Sequence, residues 1–146
     1  MGPPYKGLQF ILGQVDKLDR YRWVFYAAAL YNALWSIFVV LLPNFYFDLF
    51  RVARPSHPAL WQCIGMLVGT FAIAYWLIAR DPLRYGAFAW VGLLGKVLGP
   101  IGMAYEIMNG RLPLGFAWVC LTNDVIWWIP FALFLGEHYR AEKQKL

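Results

Sequence analysis

Lys96 stands in "GLLGKVLGPIGM", residues 92–103, with no other charge between Gly86 and Tyr105. Asp124 stands in "TNDVIWWIP", residues 122–130, and is the only charge between Arg111 and Glu137. An ammonium and a carboxylate can pass a proton to each other or to a bound molecule, so Lys96 and Asp124 are the candidate catalytic residues. Each would cost about 2.5–3.5 kcal/mol at the centre of a membrane helix, and meeting one another reduces that penalty. The two are expected to face each other as an ion pair or as a neutral hydrogen-bonded pair. Both protonation states are open at the level of sequence.

Other polar groups fall at similar depth along apolar runs. Asn32 is nine residues into the first run and Thr70 ten residues into the second. Lys96 is ten residues into the third and Asp124 eleven into the fourth. At 1.5 Å per residue these offsets place all four groups about 14–16 Å deep. Asn123 adds a donor and an acceptor beside Asp124, and Trp127 and Trp128 follow on or next to the aspartate's face of a helix. Trp35 lies deep in the first run. With these tryptophans as walls, the set describes a ligand site for a flat or prenylated molecule.

The elements that must position these groups are four apolar runs: Trp23–Leu42, Leu60–Ala79, Gly86–Ile107 and Pro113–Leu135. About 20 apolar residues suffice to cross a bilayer core as a helix. The composition agrees, with 61% hydrophobic and 14% charged residues, against about 45–50% and about 25% in soluble domains. The expected fold is all-α, an integral membrane four-helix bundle over residues 23–135. Residues 136–146 read as a basic cytoplasmic tail. In residues 1–22, Leu8, Ile11, Leu12, Val15 and Leu18 recur at helical spacing between polar residues. That pattern predicts an amphipathic helix lying in the membrane interface. The charges within it exclude a cleavable signal peptide.

Orientation follows from the cations. With both termini cytoplasmic, the inside carries nine (Lys6, Lys17, Arg20 and Arg22, then Arg80, Arg84, Arg140, Lys143 and Lys145) and the outside three (Arg51, Arg54 and Arg111). Short loops obey the positive-inside rule. The net charge of +5 therefore reflects topology and contact with anionic lipid headgroups, and no nucleic-acid partner is expected. Trp23, Trp61, Tyr75, Trp76 and Tyr139 read as interfacial belts.

Prolines and glycines mark where helices bend or approach. Pro100 frees the carbonyl of Lys96, and Pro130 that of Ile126, because proline has no N–H to donate one turn later. A break is expected near Gly99–Pro100. Gly65 and Gly69, like Gly95 and Gly99, have the four-residue spacing that lets helix backbones come close.

Cys63 and Cys120 fall in the apolar runs, where thiols behave as small hydrophobes more often than they bridge. His57 and His138 are predicted on opposite sides of the membrane. No CxxC, HExxH or glycine-rich phosphate motif occurs, so neither a metal nor a cofactor is expected.

At "LYNALW", "WQCIGMLVGTFAIAY", "GLLGKVLGPIGM" and "NDVIWWIPFAL" the chain resembles a group of small bacterial four-helix membrane proteins. These are DoxX-like in size and often carry the label alkyl hydroperoxide reductase. The resemblance covers about residues 30–135 and implies a bacterial inner (cytoplasmic) membrane protein. It brings no peroxide chemistry with it: a peroxidatic cysteine is an exposed, activated thiolate, and Cys63 and Cys120 lie in apolar helical contexts. Three functions fit the residues. One is a midplane site that binds, and acts on, a lipophilic molecule such as a quinone or prenyl lipid. The second is an accessory or assembly subunit of a larger membrane complex, with Lys96 and Asp124 as a structural pin. The third is a proton-coupled carrier, which at this size calls for a homodimer. Whether the chain is an enzyme is open at this stage.

Overall fold

A computed structural model describes Gly13 and residues 16–143. It is helical throughout, with no strand among the described residues. In chain order these are α1 (Arg22–Leu41), α2 (Phe45–Leu49), α3 (Pro58–Arg80), α4 (Pro82–Tyr85), α5 (Phe88–Met108), α6 (Ala117–Asn123) and α7 (Trp128–Lys143). Short 3-10 turns, Leu114–Phe116 and Val125–Trp127, precede α6 and α7. Four helical stretches are long and apolar enough to cross a membrane: Asp16–Leu41, Pro58–Arg80, Phe88–Met108 and Leu114–Lys143.

Most of the interfacial helix expected over residues 1–22 lies outside the described residues. Its described end, residues 16–19, is helical and turns at Arg20–Tyr21 into α1. Leu18 there is buried in the bundle, packed with the core around Phe25 and Ile78.

The bundle has an apolar exterior and a partly polar interior. Leu30, Leu34, Ile37, Leu94, Leu98 and Ile101 are exposed, while Asn32, Lys96, Asp124 and His138 are buried. A soluble monomer exposes apolar patches of at most a few hundred Å². Here apolar side chains point outward along every long helix. Burial on α1 follows Phe25, Ala28, Ala29, Asn32, Trp35 and Val39. That spacing of three and four residues turns one stripe of the helix toward its neighbours.

The closest pairing is α1 against α3. Gly65 and Gly69 make it close: a Cβ on Gly65 would stand 2.9 Å from Val39 Cγ1, and one on Gly69 2.6 Å from Ser36 Oγ. The four-residue glycine pair of α3 is thus a helix-packing device. At the end where Leu18 and Ala141 pack, Arg22 donates from Nε to the Ala79 carbonyl (2.7 Å) and from Nη2 to the Arg80 carbonyl (3.0 Å). The last carbonyls of a helix lack intrahelical partners, and a cation there also complements the helix dipole.

Two aromatic clusters close the bundle. Phe25, Tyr75, Phe131 and Phe134 fill the terminal end, and Trp35, Val39, Phe116 and Val119 fill the distal end. The distal loop is folded: Phe47 of the short α2 and Phe50 just after it pack their rings on Phe116 at 5.8 and 5.1 Å. Arg54 holds both carboxylate oxygens of Asp48, at 2.7 and 2.8 Å, and keeps that carboxyl below the usual range. Arg111 clamps Glu106 in the same bidentate way.

Three expectations need correction. The helix break lies in the fourth span, at Asn123–Asp124, whereas α5 runs unbroken through Pro100. The fourth span also runs past Leu135, since α7 continues to Lys143 with His138 and Ala141 buried. Tyr75, read as an interfacial anchor, is 1% exposed and sits in the core.

Candidate functional site

The break in the fourth span begins with one off-helix residue. Asp124 has φ −124° and ψ −59°, so α6 ends at Asn123. In a continued α-helix the Trp127 N–H would bond to the Asn123 carbonyl, four residues back. It bonds instead to the Asp124 carbonyl at 3.0 Å. The Asn123 carbonyl is thereby left for another donor, and Lys96 Nζ takes it at 2.6 Å. Non-helical backbone at this depth is tolerated where protein covers it or where it lines a cavity.

Lys96 is tied to the fourth span through its backbone as well. Pro100 has no N–H to give the Lys96 carbonyl, and Trp128 Nε1 fills that role at 2.9 Å. The side chain and main chain of one residue thus hold α5 to the two sides of the break.

Asp124 lies next to the ammonium, with Oδ1 3.8 Å from Lys96 Nζ. That separation is too long for a direct hydrogen bond. Asn123 Nδ2 donates to the same oxygen at 3.0 Å, so Oδ1 is shared between an amide and a charge. The aromatic rings of Tyr75 and Trp127 have their centroids 5.7 and 5.8 Å from the ammonium, within cation–π range. All of this is enclosed: Lys96 is 4% exposed and Asp124 8%.

Beside the pair is a cavity of about 400 Å³, within the usual range for small-molecule sites. Lys96, Asn123, Asp124 and Asn32 contribute its polar wall; Trp35, Trp61 and Phe71 contribute apolar ones. Asn32 is 2% exposed and its Oδ1 has no hydrogen-bond partner among the described residues. Burying an unpaired amide oxygen is unfavourable. An unpaired amide on a cavity wall is a group available to an occupant.

The cavity exists because α5 presents glycines. Gly92, Gly95 and Gly99 line it. A Cβ on Gly95 would find its nearest neighbour, Phe71 Cζ, only at 4.0 Å. One on Gly99 would stand 3.2 Å from Asp124 Oδ2, so the carboxylate looks across a bare backbone. The glycine pair of α5 therefore differs in role from that of α3: Gly95 leaves space, and Gly99 lets the Asp124 carboxylate come close. The open side lies between α3 and α5, where Leu67, Gly95 and Gly99 are exposed. The aromatic clusters occupy the two ends.

The sequence-predicted residues are therefore sorted. Asn32, Trp35, Lys96, Asn123 and Asp124 share the cavity. Trp127 and Trp128 brace Lys96 from behind without lining it. Thr70 is exposed on the outside of α3, its hydroxyl bonded to the Leu67 carbonyl at 2.7 Å, and is no part of the site. Sequence reasoning missed Tyr75, Trp61 and Phe71. Tyr75 shares the buried stripe of α3 with Gly65, Ala72, Ile78 and Ala79, a helical spacing that assigns it to the interior.

Cys63 and Cys120 are both free, and Cys63 is exposed on α3 rather than buried. No group of three His, Cys, Asp or Glu side chains is placed to hold a metal among the described residues. His138 is buried against Leu83, with Nε2 3.4 Å from the Leu83 carbonyl, and is remote from the pair.

Together the fold and site define an all-helical bundle of four span-length helices, with an acid–base pair beside a discontinuous helix and a glycine-floored cavity. No protein-family model, no curated protein and no solved structure matches this chain.

Proposed function

We propose that this is a multi-pass membrane protein that binds, and acts on, a lipophilic molecule such as a quinone or prenyl lipid at a polar site near the bilayer midplane. The observation that carries this reading is the cavity itself. It is apolar except for the wall bearing Lys96, Asp124 and Asn32, and it opens sideways between α3 and α5, toward lipid. A molecule dissolved in the bilayer reaches such a site without crossing water. Ionisable groups within membrane helices default to a functional role, and a donor beside an acceptor supports proton transfer to a bound molecule.

The placement we propose is a bacterial inner membrane, with both termini cytoplasmic. An even number of spans puts the ends on one face, and the cation count puts that face inside. On the opposite face Arg54 and Arg111 are each held by a carboxylate, leaving Arg51 unclamped among the three.

A second reading is favoured by one specific contact. The 2.6 Å bond from Lys96 to the Asn123 carbonyl ties α5 to the break, as a structural pin in an accessory subunit of a larger complex would. Purification from native membrane with mass spectrometry of bound lipids and proteins separates the two. We expect a stoichiometric lipophile with the wild-type chain and none with the Lys96→Met/Asp124→Leu double variant. A double variant that copurifies with the same proteins, where neither chain carries a lipophile, overturns the ligand reading in favour of the pin.

A further inference from the structure

The chemistry of the cavity wall narrows the class of occupant. Lys96 and Asp124 carry opposite charges side by side, so the wall leaves no excess charge for an anionic phospholipid head or a cationic amphiphile to neutralise. It offers a donor and an acceptor 3.8 Å apart. An oxygen set to one side of the pair, about 2 Å off the line that joins them, reaches both at ordinary hydrogen-bond lengths of about 2.7–2.9 Å. A hydroxyl there accepts from Lys96 Nζ and donates to Asp124. An ether, ester or ketone oxygen accepts from the lysine but gives the carboxylate no second donor beside the Asn123 amide.

Asn32 adds to this selection. Its amide lines the same cavity, almost fully buried, with Oδ1 unpartnered among the described residues. An amide can give or take a hydrogen bond. The single proton of a hydroxyl goes either to Asp124 or to Asn32 Oδ1, and an ether can supply neither. The hydrocarbon has a route outward over Gly95, where even an added Cβ would have its nearest neighbour 4.0 Å away, through the gap beside Leu67.

We infer that the cavity takes an uncharged lipid alcohol, with its hydroxyl bridging Lys96 and Asp124 from the cavity side and its chain leaving sideways between α3 and α5. The inference rests on the ligand-site reading above and sharpens it to a head-group chemistry. No bond is made or broken in this recognition.

The test uses the full chain in lipid nanodiscs, with farnesol and its methyl ether as probes. The two have the same chain and differ at the single hydroxyl, whose proton the ether lacks. Trp35 and Trp61 line the cavity, so saturable change in tryptophan fluorescence reports occupancy. A hydrogen bond to a buried charged group that only the alcohol can make strengthens its binding, so farnesol is expected to bind at a mole fraction about tenfold below that of the ether. Asn32→Leu should lower farnesol affinity by several fold and leave the ether nearly unaffected. Gly95→Leu fills the floor of the cavity, keeps the charged pair, and should abolish binding of both. Equal affinity for the two probes would overturn the hydroxyl inference and leave the ligand site standing. Absence of saturable binding by either probe overturns the lipid-alcohol class. The ligand-site reading itself falls only if, in addition, native purification yields no copurifying lipophile.

Discussion

At the scale of single residues, Lys96 is held through two groups: its ammonium, which meets the Asn123 carbonyl and Asp124, and its carbonyl, which meets Trp128. Removing either member of the charged pair leaves the other buried without its counterpart. Lys96→Met and Asp124→Leu are each expected to destabilise by about 3–5 kcal/mol, and the double variant to recover much of that loss, since apolar replacement of a buried pair is often tolerated. Thermal unfolding of the three variants checks this, and simple additivity would mean the two groups do not act together. The Trp128 indole makes a second test. Trp128→Phe strands the Lys96 carbonyl, an expected loss of about 1–3 kcal/mol. In a Pro100→Ala background the restored N–H can take over that carbonyl, so the same change should cost less. Equal losses in both backgrounds would show that Trp128 acts through packing alone.

At the scale of elements, the interruption of the fourth span and the glycines of α5 divide the work. Asp124 leaves helical geometry, the next turn tightens, and a carbonyl is released toward Lys96. The glycines keep the facing surface open. Tight helix ends depend on glycine elsewhere: a Cβ on Gly86 would collide with the imidazole of His138, which packs α7 onto the turn between α4 and α5. Gly86→Ala is expected to cost about 1–3 kcal/mol, as overpacked sites usually do. A His138→Ala change in the same chain should relieve the part due to the imidazole, while the Pro82 carbonyl, 2.5 Å from that Cβ, keeps the rest. If unfolding temperatures show no such relief, the imidazole is not what Gly86 accommodates.

At the scale of the whole molecule, the apolar exterior and the charged ends make a prediction about exposure. In a Cys63→Ala background, a membrane-impermeant thiol reagent applied to intact cells should label Ser56→Cys in the distal loop. It should fail to label Lys143→Cys at the end of α7, and Leu98→Cys on the outer face of α5. The reverse pattern for Ser56 and Lys143 would invert the orientation. Efficient labelling of Leu98→Cys would argue against burial of that face in lipid.

Four long helices, their apolar exteriors and the depth of Asn32, Lys96 and Asp124 were all legible in the sequence. Length, hydropathy and rise per residue are local properties, and each run states them without reference to the others. The freeing of the Lys96 carbonyl by Pro100 was legible for the same reason, because a missing N–H acts one turn away along the same helix. What covers that carbonyl was not, since Trp128 arrives from another helix. Rotation about each helix axis decides which polar group faces inward, and it is set by packing between helices. Hence Thr70, at the same depth as Lys96, faces outward, while Tyr75 turned out to be core. The two glycine pairs look alike in sequence and act differently, because one meets Val39 and Ser36 while in the other Gly95 meets space and Gly99 meets the Asp124 carboxylate. The break at Asp124 likewise depends on Lys96 from another helix to take up the carbonyl it releases. Only the assembled bundle supplies that partner.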